Sequence, residues 1–330
     1  MKNNSNDNKT RLCLVCTAGG HFEQLFSLSN FYQKFPHFWI TNANKQTESA
    51  LAGERSYFLT IAHYKKPWDY FGHINRVLRI FRDEKPTHIL STGSGRTTLI
   101  PFLISKIKRI PFIYIETYSR VNNLTLFGKF VRAAGTRIHT QWENGQKGTT
   151  YIGPVFQSDQ KSGDTGISDG NYVFVTFGTR DEQFTRLIMY LEQLVTENVI
   201  DRKVIVQAGK TTYQSDKLQI FDFCSVSEID ELIRNASYII TQESAGIGNK
   251  CLKYGKRFIV MPRDYEFGEL PSKHDMEEDL QYRLEEIGFT KVVHTKEQLA
   301  DSIKNIGKLK TGFKFDNSGA VEILTGMVGS

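Results

Sequence analysis

The chain has 330 residues, 39% of them hydrophobic and 24% charged, with a formal net charge of +6. That length exceeds what one core usually spans and suits two domains, and the composition excludes disordered, fibrous and membrane-spanning classes. The mild positive charge favours an anionic partner but is too small to specify nucleic acid, and none is expected.

Residues 1–10 are polar and Asn-rich, and are expected to be a disordered N-terminus rather than a secretory signal or an anchor. Residues 12–16 read as a buried strand, and a helical repeat follows over 22–33. Strand-like runs recur at 37–41, 87–91, 112–115 and 136–140, with helical patterns at 68–82, 97–106 and 123–133 between them. Within 68–82, Trp68, Phe71, Ile74, Val77, Leu78 and Phe81 line one face, which is expected to pack on the sheet. The longest near-apolar run, 99–115, is broken by Lys106, Lys108, Arg109 and Pro111, too often for a bilayer span. A stretch rich in Ser, Asp and Gly, 157–171, reads as a linker. The alternation then restarts with strands at 172–177, 203–207, 237–241 and 256–261. Helices run through Phe184, Leu187, Ile188 and Leu191, and near 227–234, 245–254, 273–286 and 296–306. This alternation predicts an α/β chain of two Rossmann-like domains with parallel sheets. Ligands of such sheets bind beyond the carboxyl ends of the strands, so the interdomain cleft is the expected active site. The four cysteines (Cys13, Cys16, Cys224 and Cys251) lie mostly in apolar runs and read as buried, reduced thiols.

Several strand ends carry residues suited to chemistry. Gly19-Gly20-His21 joins the first strand to its helix, where glycines let the backbone approach a ligand and free N–H groups favour an anion. The same turn puts a titratable imidazole where a general base can work, although Gly-Gly also occurs at such turns for purely structural reasons. Thr92-Gly93-Ser94-Gly95 follows another strand and opens a helix, a second possible phosphate seat. Glu116-Thr117-Tyr118-Ser119-Arg120 ends a third strand with a carboxylate and an arginine, which suit either an active site or a structural ion pair. In the second half, Gly178 and Thr179 end the first strand, and Glu243-Ser244-Ala245-Gly246-Ile247-Gly248 opens a helix with small residues whose N–H groups suit a pyrophosphate. The spacing is neither G-x-G-x-x-G nor a P-loop. No Asp-x-Asp occurs, so no metal site is expected. The charge of a leaving group then falls to helix dipoles and backbone N–H groups.

Taken together these residues resemble a bacterial single-chain version of a two-subunit glycosyltransferase. Its relatives are the eukaryotic pair that adds the second GlcNAc to dolichyl-pyrophosphate-GlcNAc and the PssD/PssE-type exopolysaccharide enzymes, with MurG more distant on the same GT-B plan. Residues 11–156 resemble the acceptor-binding, membrane-associated subunit through Gly19-Gly20-His21, Gln24-Leu25, Thr92-Gly93-Ser94-Gly95, Glu116-Thr117-Tyr118-Ser119-Arg120-Val121, Gln141-Trp142 and Tyr151-Ile152-Gly153. Residues 172–330 are read as the nucleotide-sugar donor-binding domain, the likeness running over 172–308 through Val175-Thr176-Phe177-Gly178-Thr179, Ser244-Ala245-Gly246, Gly255-Lys256 and the His274-Asp275 region. Two departures matter. Gln242-Glu243-Ser244 stands where the donor subunit usually has His-Ala-Gly, and Lys250 stands near its usual ribose-binding glutamate, a contact Glu243 can replace.

The resemblance implies an inverting, metal-independent transfer with no cofactor. A sugar would pass from a UDP-sugar to a polyprenyl-pyrophosphate-linked sugar, through a β-1,4 linkage, in exopolysaccharide or capsule repeat-unit assembly. UDP-glucuronic acid is the donor considered first, with Lys250 and Arg263 as receivers of its carboxylate; UDP-galactose and UDP-GlcNAc come next. His21 is the expected base and Glu116 the alternative. Acceptor contacts are expected at Gly19, Gly20, Thr92, Gly93, Ser94, Gly95 and Arg120. Donor contacts are expected at Gly178, Thr179, Glu243, Ser244, Ala245, Gly246, Gly248 and His274. Lys106, Lys108 and Arg109 are expected to meet an anionic membrane surface, which makes the protein peripheral on the cytoplasmic face of the inner membrane. The alternatives are a UDP-sugar 2-epimerase of GT-B architecture and a non-catalytic scaffold for a partner transferase.

Overall fold

The computed structural model describes residues 10–60, 68–157, 170–271 and 279–329. His274, residues 1–9 of the expected disordered terminus and residues 158–169 of the expected linker lie outside them. The chain forms two compact units, residues 1–157 with 315–330, and residues 158–314.

In unit 1 the elements run β1 (Leu12–Cys16), α1 (Gly20–Phe26), α2 (Ser29–Tyr32), β2 (His37–Asn42), α3 (Lys45–Ala50), β3 (Ser56–Leu59), α4 (Trp68–Glu84), β4 (His88–Gly93), α5 (Gly95–Lys108), β5 (Phe112–Ile115), α6 (Leu126–Ala133), β6 (Ile138–Thr140) and β7 (Thr149–Tyr151). The seven strands lie in the order β3-β2-β1-β4-β5-β6-β7, and every pairing is parallel. A parallel strand is covered on both faces, which is why all five residues of β1 are apolar and buried. The strand order reverses between β1 and β4, opening a crevice at their carboxyl ends.

The helix expected over 22–33 divides at Ser27 and Leu28. Ser27 Oγ donates to the Glu23 carbonyl at 2.8 Å, the kind of local bond that competes with helix continuation. The expected packing face of α4 is also corrected. Trp68 is 77% exposed, Phe71 61% and Leu78 39%, whereas His73, Val77, Ile80, Phe81 and Glu84 face the core. Two of those core positions are polar and so escape a hydrophobic stripe. Glu84 is accommodated by Arg11, Arg55 and Tyr57, and His73 by Thr60.

Unit 2 repeats the plan with β8 (Tyr172–Thr176), α7 (Thr185–Thr196), β9 (Lys203–Gln207), β10 (Gln219–Phe221), α8 (Val226–Asn235), β11 (Tyr238–Thr241), α9 (Ala245–Lys253), β12 (Phe258–Val260), α10 (Leu280–Glu286), β13 (Thr290–Val292) and α11 (Lys296–Lys304). Its parallel order β10-β9-β8-β11-β12-β13 places a second switch point between β8 and β11.

The last helix, α12 (Ser318–Val328), returns to unit 1, which corrects the expected donor domain of 172–330. Ala320, Leu324 and Val328 join the core formed by Leu12, Phe22, Leu25 and Phe31. Ahead of them the buried Asn317 amide donates to the carbonyls of Ser27 at 3.0 Å and Val155 at 3.1 Å. Among the described residues, no helix is long and apolar enough to cross a membrane.

Candidate active site

At the unit 1 switch point the two glycine-rich turns meet. Thr17 N donates to the Gly93 carbonyl at 3.3 Å, and Thr17 Oγ1 lies 3.2 Å from Ser94 Oγ and 3.1 Å from Thr97 Oγ1. His21 Nδ1 sits 2.7 Å from the Thr92 carbonyl, while Thr92 Oγ1 donates back to the His21 carbonyl at 2.7 Å. A carbonyl only accepts, so Nδ1 carries the proton and Nε2 presents a lone pair. Burial pushes the imidazole below its ordinary pKa, outweighing the Thr92 bond that pulls it up. Gly93 is required beside this ring. Its φ is +93°, and a Cβ there would lie 3.2 Å from His21 Cε1.

Glu116 lies 1% exposed at the end of β5. Its Oε1 accepts from Thr117 N at 3.0 Å, and its Oε2 from Thr125 N at 3.0 Å. Thr125 Oγ1 reaches both oxygens at 3.1 Å. Burial raises its pKa against these bonds and the nearby Arg120. The carboxylate therefore anchors the start of α6 and is spent on it. Two buried glutamines complete the frame. Gln24 donates to Gly20 O and Thr117 Oγ1, both at 3.1 Å, and accepts from Gln141 at 2.7 Å. Gln141 also donates to Glu116 O at 2.9 Å and accepts from Val155 N at 3.0 Å. The Trp142 indole donates to Tyr118 O at 2.8 Å and packs on its ring.

At the unit 2 switch point Gly178 has φ +70°, and a Cβ there would meet Gln242 Nε2 at 2.3 Å. Gln242 in turn accepts from Arg263. Arg263, 2% exposed, donates to the carbonyls of Glu182 at 2.8 Å, and of Gln183 and Phe177 at 3.3 Å, with its guanidinium 4.7 Å over the Phe184 ring. It cannot receive a substrate carboxylate, and Lys250 is paired with Asp230. Both residues proposed to bind a uronate are thus engaged, because the sequence shows their charge but not their partners.

Ser244 caps α9 by accepting from Ile247 N at 3.4 Å, and Gly246 is exposed with its nearest neighbour, Ser244 Oγ, 4.0 Å from a Cβ position. Thr179 is exposed and Gly248 buried. Glu243 is buried at 6% exposure. Its Oε2 accepts from Arg263 N at 2.8 Å, while its Oε1 has no partner. Burial raises its pKa, against hydrogen bonding from the backbone N–H groups of Arg263 and of Glu243 itself and, more weakly, the charges of Arg180 and Arg263. Arg180 was missed by sequence reasoning, although a cation two residues beyond Gly178 was visible. Phe223, half-exposed just after β10, was missed too; its ring borders Gly209.

No protein-family model matches the chain, and no curated protein sequence does. Solved structures do share its fold. MurG from Acinetobacter baumannii is 12% identical with a TM-score of 0.61, over 97% of this chain and 99% of that one. UDP-N-acetylglucosamine 2-epimerase from Rickettsia bellii is 14% identical with a TM-score of 0.67, over 97% and 96%. S. aureus MnaA, solved with UDP, is 13% identical with a TM-score of 0.68, over 96% of each. These likenesses establish architecture: the chain has the GT-B fold, two Rossmann-like domains built on parallel sheets.

Proposed function

We propose that the protein is an inverting, metal-independent glycosyltransferase that moves a sugar from a UDP-sugar to a polyprenyl-pyrophosphate-linked acceptor, of the PssD/PssE-like kind the sequence resembles, in exopolysaccharide or capsule assembly. The observation that carries the reading is His21. Its Nδ1–H is held by the Thr92 carbonyl, its pKa is lowered, and its Nε2 is free among the described residues at the unit 1 switch point. In the reaction the acceptor hydroxyl oxygen bonds to the anomeric carbon and its proton passes to Nε2. The bond from that carbon to the diphosphate oxygen breaks, and its electron pair leaves with UDP. The donor is read into unit 2, with the diphosphate at the α9 turn, the Glu243 carboxyl at the ribose and the Phe223 face available to the base.

A lipid-linked acceptor is supported by an exposed face of unit 1. On α5, Leu103 is 40% and Ile107 81% exposed; on α6, Leu126 is 84% and Phe130 44% exposed. The Phe102 ring ties the two helices at 5.8 Å from Phe130, and exposed Lys106, Lys108, Arg109 and Lys129 accompany them. Such a face suits peripheral attachment to an anionic bilayer on the cytoplasmic side. The epimerase reading stands beside this one because epimerases share the fold equally well. The deciding experiment supplies UDP-Glc, UDP-Gal, UDP-GlcNAc and UDP-GlcA with and without a polyprenyl-pyrophosphate-linked sugar. UDP release that requires the acceptor supports the transferase; conversion of UDP-GlcNAc without acceptor establishes the epimerase instead.

A further inference from the structure

We propose that Gln141 is a positioning residue for His21, closing a buried hydrogen-bonded ring that fixes the helix of the base to the points where the chain leaves and re-enters unit 1; the inference rests on the reading of His21 as the base. His21 is carried by α1, which spans only 7 residues, and Gly19 at its N-cap offers no side-chain hydrogen bond. A helix of about two turns is marginal by itself, so its place is set by what grips it from outside. Gln24, on the same side of α1 as His21 and one turn later, is 4% exposed. Its amide donates to Gly20 O and Thr117 Oγ1, and accepts from Tyr118 N at 2.8 Å and from Gln141 Nε2 at 2.7 Å. Both N–H donors and both lone pairs of Gln24 are thus in use.

Gln141 lies 117 residues further along the chain and is itself buried. Beyond Gln24, its Nε2 reaches Glu116 O at 2.9 Å and its Oε1 accepts from Val155 N at 3.0 Å. The carbonyl of the same Val155 accepts from Asn317 Nδ2 at 3.1 Å, and Asn317 also donates to the carbonyl of Ser27, the C-cap of α1, at 3.0 Å. The ring therefore runs through Gly20, Gln24, Gln141, Val155, Asn317 and Ser27, and back along α1. Val155 lies just before the chain leaves unit 1 at 157, and Asn317 just after it returns at 315. Gln141 acts through Gln24 and α1. Without it, Gln24 loses a partner and is free to turn, while Val155 N and Glu116 O are left buried without theirs. A shift of about 1 Å in the position of a reacting group, caused from a distance, costs about a hundredfold in rate.

The test is UDP release by the full-length protein with a polyprenyl-pyrophosphate-linked sugar and whichever of UDP-Glc, UDP-Gal, UDP-GlcNAc and UDP-GlcA wild type consumes. Wild type, Gln141→Met, His21→Ala and the double variant form one cycle. Methionine keeps the length of the side chain and makes none of the glutamine's hydrogen bonds. In Gln141→Met, kcat is expected to fall about ten- to a hundredfold, with KM for the UDP-sugar within about twofold of wild type. In the His21→Ala background the same substitution should cost less than about threefold, because its effect passes through the missing ring. Asn317→Ala, which opens the hydrogen-bonded ring from its other side, should also lower kcat and leave KM alone. Equal proportional losses in both backgrounds, a rise in KM that accounts for the loss, or wild-type kcat in Gln141→Met each overturn the positioning role and leave the transferase reading standing. If Gln141→Met does not fold, Asn317→Ala takes its place in the cycle under the same criteria; if neither folds, the residues are structural and the proposal is overturned. Unchanged kcat in His21→Ala removes the base, and the proposal with it. Wild type that releases no UDP in response to the acceptor overturns the proposal and the transferase reading together.

Discussion

Gly128 and Gly72 both sit in helices, yet the same substitution should shift stability in opposite directions. In α4, a Cβ on exposed Gly72 meets nothing within 4 Å, so Gly72→Ala should stabilise unit 1 by about 0.5–1 kcal/mol through helix propensity. In α6, a Cβ on Gly128 would lie 2.1 Å from Glu116 Oε2 and 3.2 Å from Thr125 Oγ1. Either the carboxylate retreats or the helix lifts, and the bonds from Thr125 N and Oγ1 are lost. Two hydrogen bonds to a charged group, at about 1.5 kcal/mol or more each, outweigh a propensity gain of at most about 1 kcal/mol. Gly128→Ala should therefore destabilise unit 1 by about 2 kcal/mol or more. Trp39, Trp68 and Trp142 are the chain's three tryptophans, and all belong to unit 1, so urea unfolding followed by tryptophan fluorescence reads that unit alone. A Gly128→Ala protein as stable as Gly72→Ala would refute the account of Glu116 as the buried anchor of α6.

His21→Ala should lower kcat by at least about a hundredfold with UDP affinity intact. Because its pKa is lowered, wild-type kcat should stay flat near pH 7 and fall only below the usual imidazole range; an acidic limb inflecting above pH 7 would contradict that. His139, 5% exposed with a pKa lowered to about 4, binds its proton more readily in the unfolded chain. Unit 1 should lose about 3 kcal/mol from this group as pH falls from 6.5 to 4, and His139→Leu should flatten that part of the stability profile. An unaltered profile in the variant would remove His139 as the cause. Neutralising Lys106, Lys108 and Arg109 together should weaken binding to anionic vesicles by about 3 kcal/mol, roughly a hundredfold at low salt. Wild-type protein that ignores such vesicles even at low salt would end the lipid-linked reading.

Much of the architecture was legible because parallel strands leave a plain signature. The runs at 12–16, 112–115 and 203–207 coincide with β1, β5 and β9, each largely buried. Short edge strands such as β3, β7 and β10 were missed, since half-exposed segments of three or four residues carry little apolar pattern. The meeting of Gly19-Gly20-His21 with Thr92-Gly93-Ser94 was partly visible, as both follow strands. Which donors surround Glu116 was not, because Thr125 is nine residues away along the chain and across a turn. The same gap hid Arg180 and misassigned Arg263. A sequence lists charges, but only the fold decides which of them are already satisfied.

The return of α12 has a consequence for how the molecule is made. The backbone leaves unit 1 near residue 157 and re-enters it near 315, so the half begun first is closed by the segment synthesised after unit 2. Until residues 315–329 exist, the apolar surface around Leu25, Leu28 and Phe31 lacks Ala320, Leu324 and Val328 to cover it. A nascent chain stopped at residue 157 would carry that surface bare, inviting association with other unfinished chains. Production of unit 1 on its own therefore calls for a rearranged gene, in which the sequence of α12 is joined back to residues 10–157 by a short artificial linker.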